Sequence, residues 1–180
     1  MTSTERIEKV RPMNAWRRWW RHLWLDERSL RRRIGQAALD RLEARVAASE
    51  HGHAGEIRLC IEASLPWSHL WRHVTPRDRA VAMFGELRVW DTEQNNGVLI
   101  YLLLAEHAIE IVADRGLARR MSPAQWQAVM APLQSALQRH EFEQGLGEAI
   151  DAVAAVLRAE FPLAEGARDE NELPDRPHVM

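Results

Sequence analysis

Residues 95–116 read Asn95-Asn-Gly-Val-Leu-Ile-Tyr-Leu-Leu-Leu-Ala-Glu-His-Ala-Ile-Glu-Ile-Val-Ala-Asp-Arg-Gly116. The run Val98 to Leu104 is apolar without a break, the pattern of a central strand covered on both faces. A short turn at Ala105-Glu106 leads into Ala108 to Ala113, a second strand, so the pair predicts a hairpin. Asn95-Asn-Gly97 and Asp114-Arg-Gly116 punctuate its two ends, since Asn, Asp and Gly are the residues that turns favour.

Upstream, Glu56-Ile-Arg-Leu-Cys-Ile-Glu-Ala63 alternates polar and apolar, which predicts a strand with Ile57, Leu59 and Ile61 on its buried face. Residues 64–74, around Pro66, Trp67 and Trp71, read as a loop. Thr75-Pro76 is a helix start, a capping threonine with proline at the first helical position. That helix runs to about Leu87 and buries Ala80, Met83, Phe84 and Leu87. An earlier helix, capped by Asp26 or Ser29, carries Leu30, Ile34, Ala38, Leu42 and Val46 on one face until His51-Gly-His-Ala-Gly55 breaks it near Glu50. Two more helices follow the hairpin, Ser122-Pro123 to about Gln138 and Phe142 to about Phe161. The order α-β-α-β-β-α-α predicts an α/β fold, a three-layer α/β/α sandwich around a small mixed sheet. Three segments result: a basic Trp/Arg-rich head over 1–26, the folded domain over 27–162, and an acidic, disordered tail over 163–180.

The composition of the 180 residues is globular, with 46% hydrophobic and 28% charged residues and a net charge of −2. Cys60 is the only cysteine, which excludes an internal disulfide framework and any multi-cysteine metal centre. The longest apolar run falls short of the roughly 18–20 residues of a membrane span. With no signal-peptide pattern, a cytoplasmic protein is expected. Charge is distributed unevenly. Ten basic residues stand against four acids in residues 1–33, about +6, while six acids face two arginines from Glu160 onward, about −4.

In the head, Trp16, Trp19, Trp20, Leu23 and Trp24 recur at helical spacing, with Arg17, Arg18 and Arg21 turned mostly the other way. Tryptophan favours the bilayer interface and arginine favours anionic headgroups, so a basic amphipathic helix on the inner membrane surface is one reading. Packing of the tryptophans on the domain or on a protein partner is the other. Nucleic acid is not expected, because no binding motif accompanies the basic residues.

A right-handed crossover would make the strands from Glu56 and Val98 parallel, and the hairpin would return Asp114 to the edge where both begin. Glu56, Asp91, Asn95, Asn96 and Asp114 then share one edge, with His51 and His53 on the approach. Carboxylate and amide oxygens suit a hard cation, calcium or magnesium; with the histidines added, zinc. The same residues also suit turn amides and solvated strand ends. His69 and His73 lack the glutamate of a metalloprotease helix, and no nucleophile elbow, phosphate loop or dinucleotide fingerprint occurs.

Asn95-Asn-Gly-Val-Leu-Ile-Tyr101 with Glu110-Ile-Val-Ala-Asp-Arg-Gly116 resembles the TPM domain family, which includes a thylakoid-lumen photosystem II repair protein and many bacterial proteins. The likeness extends to Gly55-Glu-Ile-Arg58, the helix of Phe84, Trp126 and Glu141-Phe-Glu-Gln-Gly-Leu146, and covers roughly Ile34 to Pro162. The resemblance implies an α/β/α sandwich, divalent-cation binding as reported for some members, and the acid phosphatase activity reported for a plant member. Its acidic site falls on Glu56, Asp91 and Asp114, beside Asn95 and Asn96. Many bacterial members carry a signal peptide and a C-terminal membrane helix; neither is expected here. The expected function is a non-enzymatic binding domain, cation-binding and peripheral to the inner membrane. The alternative is a metal-dependent phosphatase using Glu56, Asp91 and Asp114.

Overall fold

A computed structural model describes residues 34–139, 141–163 and 171–180. The Trp/Arg head, including Trp16, Arg17, Arg18, Trp19, Trp20, Arg21 and Trp24, lies outside the described residues. The central strands are β1 (Ile57–Glu62), β2 (Val98–Leu103) and β3 (Ala108–Ala113), with a fourth, β4 (His178–Val179). Among the described residues, six helices accompany them: α1 (Gln36–Glu50), α2 (Trp67–Trp71), α3 (Pro76–Glu86), α4 (Arg115–Ala118), α5 (Pro123–Gln138) and α6 (Phe142–Glu160).

The sheet order is β3-β2-β1-β4. Strands β1 and β2 are parallel, with Ile57 opposite Val98, and the β2–β3 hairpin is antiparallel, with Val98 opposite Ala113. Both parallel strands therefore begin, and β3 ends, at one edge, as the right-handed crossover through α3 requires.

Alternating side chains of each strand feed two separate cores. Ile57, Leu59, Ile61, Val98, Ile100, Leu102, Ile109 and Ile111 pack under α1, α5 and α6, against Leu42, Leu133 and Leu146 among others. Cys60, Leu99, Tyr101, Leu103 and Val112 pack under Leu70 of α2 and Ala80 and Met83 of α3. Helices on both faces of a mixed sheet make the three-layer α/β/α sandwich. Among the described residues, no helix is long and apolar enough to cross a membrane.

Local chemistry sets the helix starts. Thr75 and Asp78 form a reciprocal capping box ahead of α3, and Ser122 and Gln125 do the same ahead of α5. In both, proline occupies the first turn, where its missing N–H has no intrahelical partner to lose. Glycine serves the helix pairing as well: a Cβ at Gly145 would lie 2.9 Å from that of Ala136, so α5 and α6 meet there at a distance only glycine permits.

Three expectations are corrected. Residues 64–74 are not all loop: Pro66 initiates the short helix α2, which turns Leu70 into the core. In β1 every residue is buried, not one face only, because α2, α3 and the chain around Leu173 cover the side that carries Arg58, Cys60 and Glu62. The tail is not uniformly without structure. Residues 171–180 lie along β1, where His178 and Val179 pair with Cys60 and Ile61, and Leu173 is buried. The segment has too few apolar residues to show a period, and backbone pairing with a strand 118 positions earlier leaves no local pattern.

Candidate functional site at the acidic strand edge

The edge where β1 and β2 begin is closed by backbone bonds between the loops. Val98 N–H donates to Glu56 O at 2.8 Å, Asp114 N–H to Gly97 O at 2.9 Å, and Gly116 N–H to Asn95 O at 2.9 Å. Loop 92–97 is folded back on itself: Thr92 Oγ1 accepts the Asn96 N–H at 3.1 Å, and Asn95 has φ 53°, a left-handed conformation asparagine tolerates. A Cβ on Gly116 would fall 2.4 Å from Asn95 O and 2.8 Å from Gln94 O, so glycine is what lets the two loops meet.

The five predicted ligands reach this edge in different states. Asp114 is buried and caps α4: its Oδ1 accepts the Arg115 N–H at 2.6 Å, while Oδ2 is buried with no hydrogen bond. Asn96 is buried, its amide donating to Ala54 O at 2.6 Å across the edge. Glu56 is buried and accepts the Glu172 N–H at 3.0 Å. Asp91 and Asn95 are exposed. Among the described residues, no three His, Cys, Asp or Glu side chains form a group that could hold a metal ion.

The histidines on the approach divide. His51 is exposed and its Nδ1 lies 2.9 Å from Ala47 O, a contact that finishes α1. His53 is fully buried with no ring hydrogen bond, and burial, helped by the charge of Arg158, holds its imidazole below the ordinary pKa.

The sequence did not reveal Glu172 as part of this edge. Its N–H meets Glu56, and its carboxylate accepts the Glu93 N–H at 3.0 Å, joining the tail to β1 and to loop 92–97. A second polar centre was also missed, at the opposite end of β1. Arg79 of α3 donates to Glu62 (Nε to Oε2 2.9 Å) and to Glu86 (3.1 Å), and the Tyr101 hydroxyl donates to Glu62 at 2.6 Å. Arg79, Glu62 and Tyr101 are all buried. Arg79 and Glu86 are seven positions apart on one helix, the one signal that could have suggested the pair. Cys60 belongs to this layer, where burial pushes its thiol up to about 12, unsuited to nucleophilic work.

An α/β/α sandwich with an acidic edge at the start of two parallel strands defines the class of domain. The TPM domain model matches residues 33–156, and the chain belongs to that family. Among solved structures, the chain is similar to the BA42 protein of the psychrophilic bacterium Bizionia argentinensis, determined by NMR. That likeness has 25% identity and a TM-score of 0.70, covering 79% of this chain and 92% of BA42. No curated protein matches the chain.

Proposed function

We propose that this chain is a non-enzymatic TPM binding module that takes a divalent cation, calcium or magnesium, beside Asp114 and works at the inner surface of a membrane. The observation that carries the cation reading is Asp114 Oδ2, a buried carboxylate oxygen without a hydrogen bond. A buried charge left unpaired is costly unless paired or bound to metal. The carbonyl oxygens of Asn95 and Gly97, which accept the Gly116 and Asp114 N–H groups at this edge, are of the kind that hard cations accept. Glu56, already holding the Glu172 N–H, and the exposed Asp91 would contribute charge at the edge more than direct ligation.

Hydrolysis is less supported than binding. Metal-assisted phosphoryl transfer needs several carboxylates on one ion and a clamp on the phosphate; Arg115, next to Asp114, is exposed and is the nearest candidate clamp in sequence. Membrane attachment rests on the tryptophan and arginine pattern of residues 16–24.

Titration calorimetry of calcium and magnesium into the metal-free full chain, beside Asp114→Asn, tests the site. Asparagine keeps the helix cap but loses the charge. Saturable binding weakened at least tenfold in Asp114→Asn is expected; equal binding by both proteins, or none by either, removes the cation reading. Turnover of a generic phosphate ester that needs magnesium and is lost in Asp114→Asn would favour the phosphatase instead. Flotation with anionic liposomes, comparing the full chain with Trp16, Trp19, Trp20 and Trp24 all changed to alanine, tests the head.

A further inference from the structure

A cavity of about 380 Å³ lies where β1, the first turn of α1 and residues 174–179 meet, bounded by Arg58, Arg176, His178, Gln36 and Leu39 among others. Arg58 is only 8% exposed. Its Nη1 donates to the carbonyls of Pro174 and, at 2.7 Å, of Arg176. Among the described residues, its Nε and Nη2 donate to no oxygen and it forms no ion pair. Arg41 and Arg45 show what that pair of nitrogens is suited to, since each places its Nε and Nη2 on the two oxygens of one carboxylate, Glu143 and Asp151 respectively. Asp175 attracts Arg58 without a hydrogen bond, and its Oδ1 already accepts from Asn171. Burial pulls the Arg58 pKa below its ordinary value, with Cys60 and Asp175 offsetting this only in part. An arginine nevertheless stays charged at neutral pH, and a buried charge is costly unless it is paired.

We propose that this cavity binds the phosphate group of a small phosphate monoester, held by Arg58 and Arg176. The Nε and Nη2 groups of Arg58 form the planar fork that takes two oxygens of one anion. Arg176, exposed at the rim, supplies a second positive charge. Two guanidiniums balance a phosphate dianion, whereas a single carboxylate needs only one. Gln36 and Leu39 belong to the first turn of a fifteen-residue helix, so its positive end borders the same space. The cavity is of the size of small-molecule clefts, which begin at roughly 300 Å³, and so leaves room beyond the phosphate for an organic part against Leu39 and Val179. The site is separate from the cation reading: Asp114 follows β3, and β2 and β1 stand between that strand and this flank.

Titration of phenyl phosphate, inorganic phosphate and benzoate into the metal-free full chain, followed by two-dimensional NMR, tests it. Phenyl phosphate is expected to saturate, to shift the methyl signals of Leu39 and Val179, and to bind roughly tenfold tighter than benzoate. Arg176→Gln keeps the backbone carbonyl that Arg58 uses and is expected to weaken phenyl phosphate roughly tenfold. Asp114→Asn is expected to bind it as the wild type does. No saturation by either phosphate compound overturns the proposal, as does benzoate binding as tightly as phenyl phosphate or an unchanged affinity in Arg176→Gln. Loss of binding in Asp114→Asn overturns it too, by moving the anion to the acidic edge. Inorganic phosphate binding as tightly as phenyl phosphate overturns the monoester and leaves the free ion as the ligand.

Discussion

Tyr101 at the middle of β2 donates its hydroxyl to Glu62 at the end of β1, 2.6 Å away, beneath the guanidinium of Arg79. The carboxylate thus binds a strand neighbour and the overlying helix at once, and its burial is tolerable because its oxygens are engaged. Burial and the charge of Glu62 together hold the Tyr101 phenol well above its ordinary range, so the hydroxyl stays a donor.

Removing Arg79 leaves the buried Glu62 carboxylate without its cation. Arg79→Met is expected to cost about 3–5 kcal/mol of unfolding free energy, read from urea denaturation. Replacing Glu62 and Arg79 together by leucine and methionine is expected to recover most of that loss, since no charge is then stranded. A double variant as unstable as Arg79→Met would show that the pair itself stabilises the native state.

His53 makes stability depend on pH near neutrality. Its folded pKa lies below the ordinary value because burial disfavours the imidazolium. The unfolded chain therefore binds more protons as the pH drops, and the contribution is fully present above about 6.5 and lost as pH falls toward the folded value. Urea midpoints measured from pH 7.5 to pH 5 are expected to decline, and His53→Gln is expected to flatten the decline over that window. An unchanged profile in the variant would place the titration elsewhere.

Gly116 is expected to resist even alanine. The added Cβ would press on the carbonyl oxygens of Asn95 and Gln94, so loop 92–97 must move. Overpacking of this kind costs about 1–3 kcal/mol. Hydrogen exchange at the Gly116 amide, which donates to Asn95 O, should accelerate in Gly116→Ala if the loop has moved away.

The central hairpin and the helix starts were legible in the sequence because each rests on local chemistry: a continuous apolar run in Val98 to Leu104, and Ser or Thr before Pro at α3 and α5. The strand edge was legible too, once the crossover fixed the directions of β1 and β2. What the residues withheld was long-range. Arg58 and Glu62 look like solvent-facing positions of an alternating strand, yet both are buried, one answered by carbonyls of the tail and the other by Arg79 and Tyr101. Glu172 reads as one more tail acid until its contacts to Glu56 and Glu93 are known. Polar residues satisfied by partners 17 to 118 positions away carry no signature in their own neighbourhood.

The pairing of β4 with β1 also orders events during synthesis. Arg58 must wait for Pro174, 116 positions later, an interval of roughly 6–23 s at about 5–20 residues per second on a ribosome. The hairpin and its helices can assemble during that time, but β1 has one open flank until His178 and Val179 emerge. A nascent chain is therefore most exposed to a chaperone, or to a neighbouring polypeptide on the same messenger, along this one strand.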